Sequence, residues 1–223
     1  MLVKTQNRSS KQIKVLIVDD HPVVREGLSA RLETQPDLEV CGQTGDVTEA
    51  LEMVAALDPD IAIIDLSLKT GHGLDLIKRI KSHKPSVRML VWSMYPDSLY
   101  AERALHAGAM GYVNKENATD QIIEAIRRLQ EGKVFLSEPM SQRLLSQAAH
   151  SSAQTSPLDG LSDRELETFE LLGQGLDTVQ IAAKMCVSPK TIETYRARIK
   201  EKLQLRKSTE LLQRAVQWVM ENK

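Results

Sequence analysis

The chain has 223 residues, which is long enough for two domains that each bury a core of ordinary size. A formal net charge of −1 argues against a polyanion binder overall, yet residues 190–207 hold seven Lys and Arg against two Glu, a local balance of +5. Cys41 and Cys186 lie far apart in apolar sequence, which predicts no disulfide or zinc motif and favours a reducing, cytoplasmic compartment. No segment approaches the roughly 18 apolar residues of a membrane span, so no membrane partner is expected.

The first half of the chain alternates predicted strands and helices. Residues 1–12 are polar and are predicted to form a flexible tail. The first strand, Lys14–Val18, is apolar and is followed by the carboxylates Asp19 and Asp20. Pro22 then begins a helix, because the N–H that proline lacks would have no intrahelical partner in the first turn.

The third predicted strand carries the most informative carboxylate. Ile61–Ile64 form an apolar run after Pro59, which is typical of a strand buried on both faces of a parallel sheet. Asp65 is expected to be exposed at the carboxyl end of this strand. The fourth strand leads to Ser93, and the fifth ends near Lys115.

Residues 13–134 are predicted to form one α/β domain with a five-stranded, doubly wound parallel sheet. Parallel neighbours require helical crossovers, which are right-handed, and the strand order 2-1-3-4-5 is a common solution for five strands. Polar residues at the strand ends then meet at one edge of the sheet. They are Asp19, Asp20, Asp65, Ser93 and Lys115. The loop that contains Gly71 and Gly73 is predicted to be flexible.

The second half of the chain is predicted to be helical. Residues 135–160 hold a short helix and a linker rich in Ala, Ser, Gln and Thr. Residues 161–223 form a second, all-α domain of four helices. Two of its helices begin with capping boxes, Ser162–Glu165 and Asp177–Gln180, and a third begins at Ser188. Two helices joined by a short turn, with the second one basic, predict a helix-turn-helix.

The acidic strand ends predict a metal site. Three carboxylates at one sheet edge repel one another, and Mg²⁺ accepts carboxylate and phosphate oxygens in the same shell. Asp65 can then attack a phosphoryl group as a nucleophile, while Lys115 neutralises its oxygens and the Ser93 hydroxyl donates to one of them. Alone, each residue has an ordinary structural explanation, such as a helix cap for paired aspartates or a solvated surface for a lysine.

The basic helix predicts a DNA interface. Residues spaced by three and four share a helix face, so Ile192, Ile199 and Leu203 are expected to face the core. The residues expected to contact phosphates are Lys190, Thr191, Arg196, Arg198 and Lys202. Those expected at or beside base edges are Glu193, Thr194 and Ala197, with Lys200 on the same outward side. The alternative is a solvated amphipathic helix.

Four segments of the first domain together resemble a known family. They are Val-Asp-Asp-His at 18–21, Asp65, Ser93 after an apolar strand, and Ala-Gly-Ala-Met-Gly-Tyr-Val-Asn-Lys at 107–115. They resemble the receiver domain of bacterial response regulators. Residues 161–219 are similar to the helix-turn-helix effector domain of the NarL/FixJ (LuxR-type) subfamily. The two resemblances cover nearly the full chain apart from the tail and the linker.

The resemblance implies a function and its partners. It implies Mg²⁺-dependent transfer of a phosphoryl group from a histidine kinase, or from a small phosphodonor, onto Asp65. The phosphorylated chain would be a DNA-binding transcriptional regulator, not an enzyme, that acts as a homodimer on DNA, with RNA polymerase as a further candidate partner. Asp19 or Asp20 and the Ser67 carbonyl are implied to help hold the metal.

The resemblance also assigns Tyr112 as the rotating aromatic residue of the switch, coupled to Ser93. The alternative is a half-buried ring with its hydroxyl in water. Two positions depart from the usual family pattern. Lys69 stands where proline is usual, four residues after the phosphorylated aspartate, and Asn114 stands where an apolar residue usually precedes the lysine. Neither removes a catalytic group, but both could alter the dephosphorylation rate or the choice of kinase.

Two other functions would use the same strand-end residues. A phosphatase or transferase of the aspartyl-phosphate type also needs Asp65 and Mg²⁺, but it requires a second acid/base carboxylate and a substrate pocket, and it leaves the basic helix unexplained. A phosphorylation-independent DNA-binding regulator would use the first domain only for dimerisation. The intact set of polar strand ends argues against this second alternative.

Overall fold

The computed structural model describes residues 12–116, 120–149 and 157–221. The predicted tail lies outside the described residues except for Gln12, and so does the middle of the predicted linker, residues 150–156. The described strands all belong to the first domain. They are β1 (Ile13–Val18), β2 (Leu38–Thr44), β3 (Ile61–Ile64), β4 (Ser67–Leu68), β5 (Gly71–His72), β6 (Arg88–Ser93) and β7 (Gly111–Asn114).

Five of these strands form one parallel sheet in the order β2-β1-β3-β6-β7, and β4 pairs with β5 in a short antiparallel hairpin. Without the hairpin, this is the predicted order 2-1-3-4-5. The predicted fold of the first domain is therefore confirmed.

Helices connect the strands and then form the second domain. The first five are α1 (Pro22–Glu33), α2 (Val47–Leu57), α3 (Gly73–His83), α4 (Asp97–Ala107) and α5 (Asp120–Gln130). The others are α6 (Glu138–Ala149), a 3₁₀ helix (Pro157–Gly160), α7 (Asp163–Gly173), α8 (Thr178–Lys184), α9 (Pro189–Lys202) and α10 (Ser208–Glu221). Over the part of the chain that the structure describes, no helix has the length and apolar character needed to cross a membrane.

β3 lies in the middle of the sheet and is buried on both faces, as its unbroken apolar run predicts. Ala62 and Ile64 belong to the core beneath α2, α3 and α4, whereas Ile61 and Ile63 belong to the core beneath α1 and α5. Successive side chains of a strand point to opposite faces, so β3 links the two helical layers. The residue that follows β3 therefore lies at the centre of the sheet edge.

The segment after β3 is a tight turn and not the flexible loop that its glycines predicted. In the hairpin, Ser67 pairs with His72, and α3 begins directly afterwards at Gly73. A Cβ atom at Gly73 would lie 2.3 Å from the carbonyl oxygen of Asp65. Glycine is needed here because the backbone of α3 packs against Asp65 with no room for a side chain.

α7 is the central helix of the second domain. Both predicted capping boxes are present, at the first turns of α7 and α8. Every residue from Glu165 to Leu172 is buried, because α9 and α10 pack against α7 on one side and the first domain contacts it on another. α8, a short turn and α9 form the predicted helix-turn-helix.

The turn between α8 and α9 contains Cys186 in the left-handed backbone region, with φ of 53°. Cys186 is exposed and Cys41 in β2 is only half-buried. The apolar sequence around Cys186 does not bury its thiol, since Met185 points into the core while the turn itself lies at the surface.

Candidate functional site

Asp65 is the first residue after β3, and its backbone N–H donates to the Val18 carbonyl oxygen at 2.8 Å. This bond extends the β1–β3 pairing and fixes Asp65 beside the carboxyl end of β1. Asp65 is only 2% exposed, so the expectation of an exposed strand end is wrong. Strand termini in a parallel sheet are covered by the loops that follow them, and here Lys115 also lies over the carboxylate.

Four potential ligands gather at this edge. One ligand atom from each of Asp19, Asp20, His21 and Asp65 lies within 4.8 Å of the others. Asp65 Oδ1 is buried and accepts no hydrogen bond from the residues that the structure describes. An unpaired buried carboxylate oxygen among other carboxylates is costly, and a hard divalent cation such as Mg²⁺ fits this donor set. Sequence reasoning missed His21, although its position directly after two aspartates was an available signal.

Lys115 joins two of the carboxylates. Its Nζ lies 2.5 Å from Asp19 Oδ2 and 2.8 Å from Asp65 Oδ2, and it lies 5.3 Å from the centre of the Trp92 ring. The backbone N–H of Lys115 donates to the Ser93 carbonyl oxygen at 2.9 Å. The structure therefore brings all five predicted strand-end residues to one edge of the sheet.

Tyr112 is buried, with 2% exposure, and its hydroxyl donates to the Tyr95 carbonyl oxygen at 2.8 Å. Burial raises the pKa of Tyr112 well above its ordinary value. The alternative of a half-buried ring with its hydroxyl in water is thus wrong. Asn114 donates to the same carbonyl oxygen at 3.4 Å, so this departure from the family pattern is a second contact to Tyr95.

Lys69, the other departure, lies beside Asp20. Its side chain is 71% exposed, and its Nζ lies 3.8 Å from Asp20 Oδ2. Proline has no comparable cation, so Lys69 adds a positive charge at the mouth of the acidic site. An exposed pair at this distance contributes little to stability.

α9 presents most of its predicted DNA-contacting residues to solvent. Ile192 and Ile199 are fully buried in the core, as their spacing predicts, and Leu203 packs against the same core. The exposed members of the predicted set are Lys190, Glu193, Thr194, Ala197, Arg198 and Lys202. The half-buried members are Thr191, Arg196 and Lys200.

Some of these residues already have partners within the chain. Glu193 Oε1 accepts from Thr178 Oγ1 at 2.8 Å and from Arg196 Nη1 at 3.0 Å. Lys202 Nζ lies 2.7 Å from Glu165 Oε2 on α7. These ion pairs would compete with the predicted contacts to DNA, a restriction that the sequence alone did not indicate.

A buried polar cluster between the two domains was also missed. Tyr95 and Tyr100 of the first domain contact Glu167 and Glu170 of α7. Residues of both domains line a cleft of about 930 Å³ beside it, including Asp20. The only signal was the spacing of the two glutamates on α7, and charged residues at that spacing normally mark a solvated helix face.

Two family models match the chain. The model described as "Response regulator receiver domain" matches residues 15–127, and the model described as "Bacterial regulatory proteins, luxR family" matches residues 159–215. The chain belongs to the NarL/FixJ-type response regulators.

Relatives of this response regulator match over nearly their whole length. The DNA-binding transcriptional activator DevR/DosR of Mycobacterium tuberculosis is 34% identical over 198 residues, which are 89% of this chain and 91% of the relative. The oxygen regulatory protein NreC of Staphylococcus carnosus is 35% identical over 210 residues, 92% of this chain and 97% of the relative. RcsB of Salmonella enterica serovar Typhimurium, bound to a promoter in the presence of the phosphomimetic BeF₃⁻, aligns with a TM-score of 0.64 and 30% identity over 92% of this chain and 98% of RcsB.

The two domains define the general function of this response regulator. It is a DNA-binding transcriptional regulator of a two-component system, with a receiver domain followed by a LuxR-type effector domain. Its relatives are regulators as well.

Proposed function

We propose that Mg²⁺-dependent phosphorylation of Asp65 by a partner histidine kinase switches this response regulator. The Asp65 carboxylate gives the most direct support. Its Oδ2 accepts from Lys115 at 2.8 Å, while its buried Oδ1 has no hydrogen-bond partner among the described residues. Lys115 thus holds the carboxylate through Oδ2, and Oδ1 is the oxygen that can react with a phosphoryl group.

In this proposal Asp65 Oδ1 is the nucleophile. It forms a bond to the phosphorus of the donor, while the bond from phosphorus to the donor's nitrogen or oxygen breaks and the donor leaves with that electron pair. Asp19, Asp20, Asp65 and the Ser67 carbonyl would hold Mg²⁺, which would neutralise charge on the phosphoryl oxygens. The side chain of Ser67 donates to Asp65 Oδ2 at 3.3 Å and helps to orient the nucleophile.

Lys115 and Ser93 respond to the phosphoryl group, which adds nearly two negative charges. The Lys115 ammonium and the Ser93 hydroxyl donate to its oxygens in charge-assisted hydrogen bonds. In this proposal the Tyr112 side chain moves together with Ser93, because both residues are buried on the adjacent strands β6 and β7. The kinase supplies the phosphoryl group. The proposal therefore needs no second acid/base carboxylate in this chain.

We propose that the phosphorylated chain binds DNA as a homodimer through α9, in the cytoplasm, with RNA polymerase as a further partner. The exposure of Lys190 and Arg198 supports contacts to phosphates, which give affinity without sequence preference. The exposure of Glu193, Thr194 and Ala197 supports contacts to base edges. RcsB, which is bound to a promoter together with a phosphomimetic, supports the same coupling in this chain.

Labelling by radioactive acetyl phosphate tests the proposal. Wild-type protein should be labelled only with Mg²⁺, and Asp65→Asn, which keeps the side-chain volume, should carry no label. Asp75→Asn is the matched control, because Asp75 is a 60% exposed carboxylate on α3, and it should be labelled like wild type. Stable label on Asp65→Asn would overturn the assignment of the nucleophile.

The same labelling experiment, followed by measurement of phosphate release and of DNA affinity, separates the alternatives. Continuous release of phosphate over many turnovers would favour a phosphatase or transferase of the aspartyl-phosphate type. Stable label without any change in DNA affinity would favour a regulator whose DNA binding is independent of phosphorylation.

A further inference from the structure

The effector helix α7 covers one face of the receiver domain. The surface that it covers is made by α4 and by residues 94–96, the loop that joins β6 to α4. The Tyr95 and Tyr100 rings stack there with centroids 4.7 Å apart and planes at 16°. The Tyr95 hydroxyl lies 3.4 Å from Glu167 Oε1, and the Tyr100 hydroxyl lies 3.2 Å from Glu170 Oε2. None of these four side chains belongs to a residue more than 6% exposed.

Ion pairs surround this buried contact. Arg103 of α4 donates to the Leu161 carbonyl oxygen at 2.8 Å and to Asp163 Oδ1 at 3.1 Å. Lys78 of α3 donates to Asp163 Oδ2 at 3.0 Å. Burial opposes ionisation of Asp163, but the two cations together hold its pKa below the ordinary value. The first turn of α7 therefore contacts the receiver through ion pairs, and the middle of α7 contacts it through hydrogen bonds.

The docked arrangement leaves the DNA-contacting helix uncovered. Lys190, Thr194 and Arg198 of α9 are exposed, whereas Tyr100 and Ala104 of α4 are at most 1% exposed. Docking of α7 therefore does not mask the residues proposed to bind DNA. What it occupies is the α4 surface of the receiver.

The covered surface is connected to the proposed phosphorylation site. Tyr95 lies two residues after Ser93, and its backbone N–H lies 3.5 Å from Ser93 Oγ. Its carbonyl oxygen accepts from Tyr112 and Asn114. Ser93 and Tyr112 are therefore linked by hydrogen bonds to the backbone of Tyr95, whose ring carries the hydroxyl that contacts Glu167.

Charge at this contact depends on protonation. Burial, followed by the negative charge of Glu167, raises the pKa of Glu170 to about 7, although the hydrogen bond from Tyr100 and the charge of Lys184 on α8 oppose the shift. The titratable tyrosines of the receiver that interact with Glu170 are Tyr95, Tyr100 and Tyr112. All three have pKa values raised well above the ordinary value by burial, so they remain neutral around pH 7.

Glu167, one turn earlier on α7, is also affected by burial. Burial raises its pKa, while Arg164 and the Tyr95 hydroxyl act in the opposite direction. Arg164 lies 3.1 Å from Glu167, and the neutral ring of His72 lies 3.8 Å from it. Glu170 has no such cation within salt-bridge distance among the described residues, so it is the carboxyl group whose ionisation burial opposes most.

We propose that the contact of Tyr95 and Tyr100 with Glu167 and Glu170 is a proton-linked latch, which holds α7 on the receiver while Glu170 is protonated and releases it when Glu170 ionises. The α4 surface is thus a docking surface whose occupation by α7 depends on the protonation of Glu170.

The direction of the proton effect follows from the difference between the two states. Undocking exposes Glu170 to water, where its pKa returns towards the ordinary 4.5, whereas in the docked state it is about 7. Docking therefore takes up a proton between about pH 4.5 and 7. In that range the ratio of docked to undocked protein falls by up to tenfold for each unit of rising pH, and above it the ratio is constant.

Small-angle X-ray scattering of the full-length protein tests the latch without any phosphodonor. The compact fraction of wild type should fall from about pH 5 to about pH 7 and then level off. Glu170→Gln cannot ionise and should remain compact at every pH in this range. Glu124→Gln is the matched control, because Glu124 is 64% exposed on α5, and it should follow wild type.

A second variant keeps the test independent of any effect of Glu170→Gln on folding. Tyr100→Phe removes only the hydroxyl that contacts Glu170, and it should lower the ratio of docked to undocked protein severalfold at the acidic end. The same pH dependence in wild type and Glu170→Gln would overturn the latch, and so would a Tyr100→Phe variant as compact as wild type. Labelling of Asp65 by acetyl phosphate is measured in a separate experiment, so failure of the proposed phosphorylation leaves the scattering result unaffected.

Discussion

Arg196 Nη1 lies 3.0 Å from Glu193 Oε1 on α9, and Thr178 of α8 contacts both side chains. The carboxylate that sequence reasoning assigned to a base edge is thus the partner of a cation assigned to phosphate. Because Glu193 is 59% exposed, this ion pair contributes only ~0.2–1 kcal/mol to stability.

Replacement of Glu193 by Ala is expected to change DNA preference far more than stability. A carboxylate near base edges accepts from cytosine N4, so its loss should relax preference at one base pair of each half-site by ~1–3 kcal/mol. Affinities for a set of single-base operator variants measure this effect. Thr178→Val is the matched control, since it removes the other partner of Arg196 and no carboxylate. Equal effects of the two variants would mean that Glu193 acts by positioning Arg196.

The salt dependence of DNA binding is expected to distinguish Arg198 from Lys202, which forms an ion pair within the chain. If about four basic side chains of each protomer contact phosphates, log K falls against log salt with a slope near −7, at ~0.9 per contact. Arg198→Ala should reduce this slope by about 2 for a dimer and weaken all sequences alike. Lys202→Ala should reduce it less, because Lys202 pairs with Glu165 at 2.7 Å. An equal reduction would show that Lys202 leaves Glu165 when DNA binds.

Substitution of Asp20 by Asn is expected to weaken Mg²⁺ binding by about tenfold or more, because it removes one charged ligand without changing the side-chain volume. Calorimetric titration with Mg²⁺ measures the affinity. Asp75→Asn is again the control and should bind Mg²⁺ as wild type does. An unchanged affinity for Asp20→Asn would place the metal elsewhere in the protein.

Two glycine substitutions should have opposite effects on stability. At Gly27 of α1 an added Cβ meets no atom within 4 Å, so Gly27→Ala should stabilise the receiver domain by ~0.5–1 kcal/mol. At Gly173 of α7 the Cβ would lie 2.4 Å from the Ala215 carbonyl oxygen, so Gly173→Ala should destabilise the effector domain by ~1–3 kcal/mol or more. Thermal unfolding of both variants measures the difference. A stable Gly173→Ala variant would show that α7 and α10 separate easily.

Local patterns were sufficient to predict the fold of the first domain and the gathering of the polar strand ends at one edge of its sheet. The apolar run of Ile61–Ile64 identified the central strand, and the rule for parallel connections then placed Asp19, Asp65 and Lys115 at one edge. Each of these inferences depends on residues close in sequence or on a topology with few alternatives. The prediction therefore held for the position of the residues and was wrong for the exposure of Asp65, which depends on packing.

Contacts between the domains could not be predicted in this way. Tyr100 and Glu170 are 70 residues apart, and neither lies in a motif that specifies a partner. The burial of Glu170 depends on the orientation of one folded domain against another, which helix periodicity does not determine. The same limit applies to Lys202, whose pairing with Glu165 requires the packing of α9 on α7.

The distribution of the two cysteines makes domain docking measurable in the natural protein. Burial raises the pKa of the Cys41 thiol and so keeps it in its less reactive form, whereas Cys186 is exposed in the helix-turn-helix turn. An alkylating fluorophore should thus attach first to Cys186, which lines the cleft between the domains together with Trp218. A dye attached there would report the opening of the cleft through its emission, with no engineered cysteine in either domain.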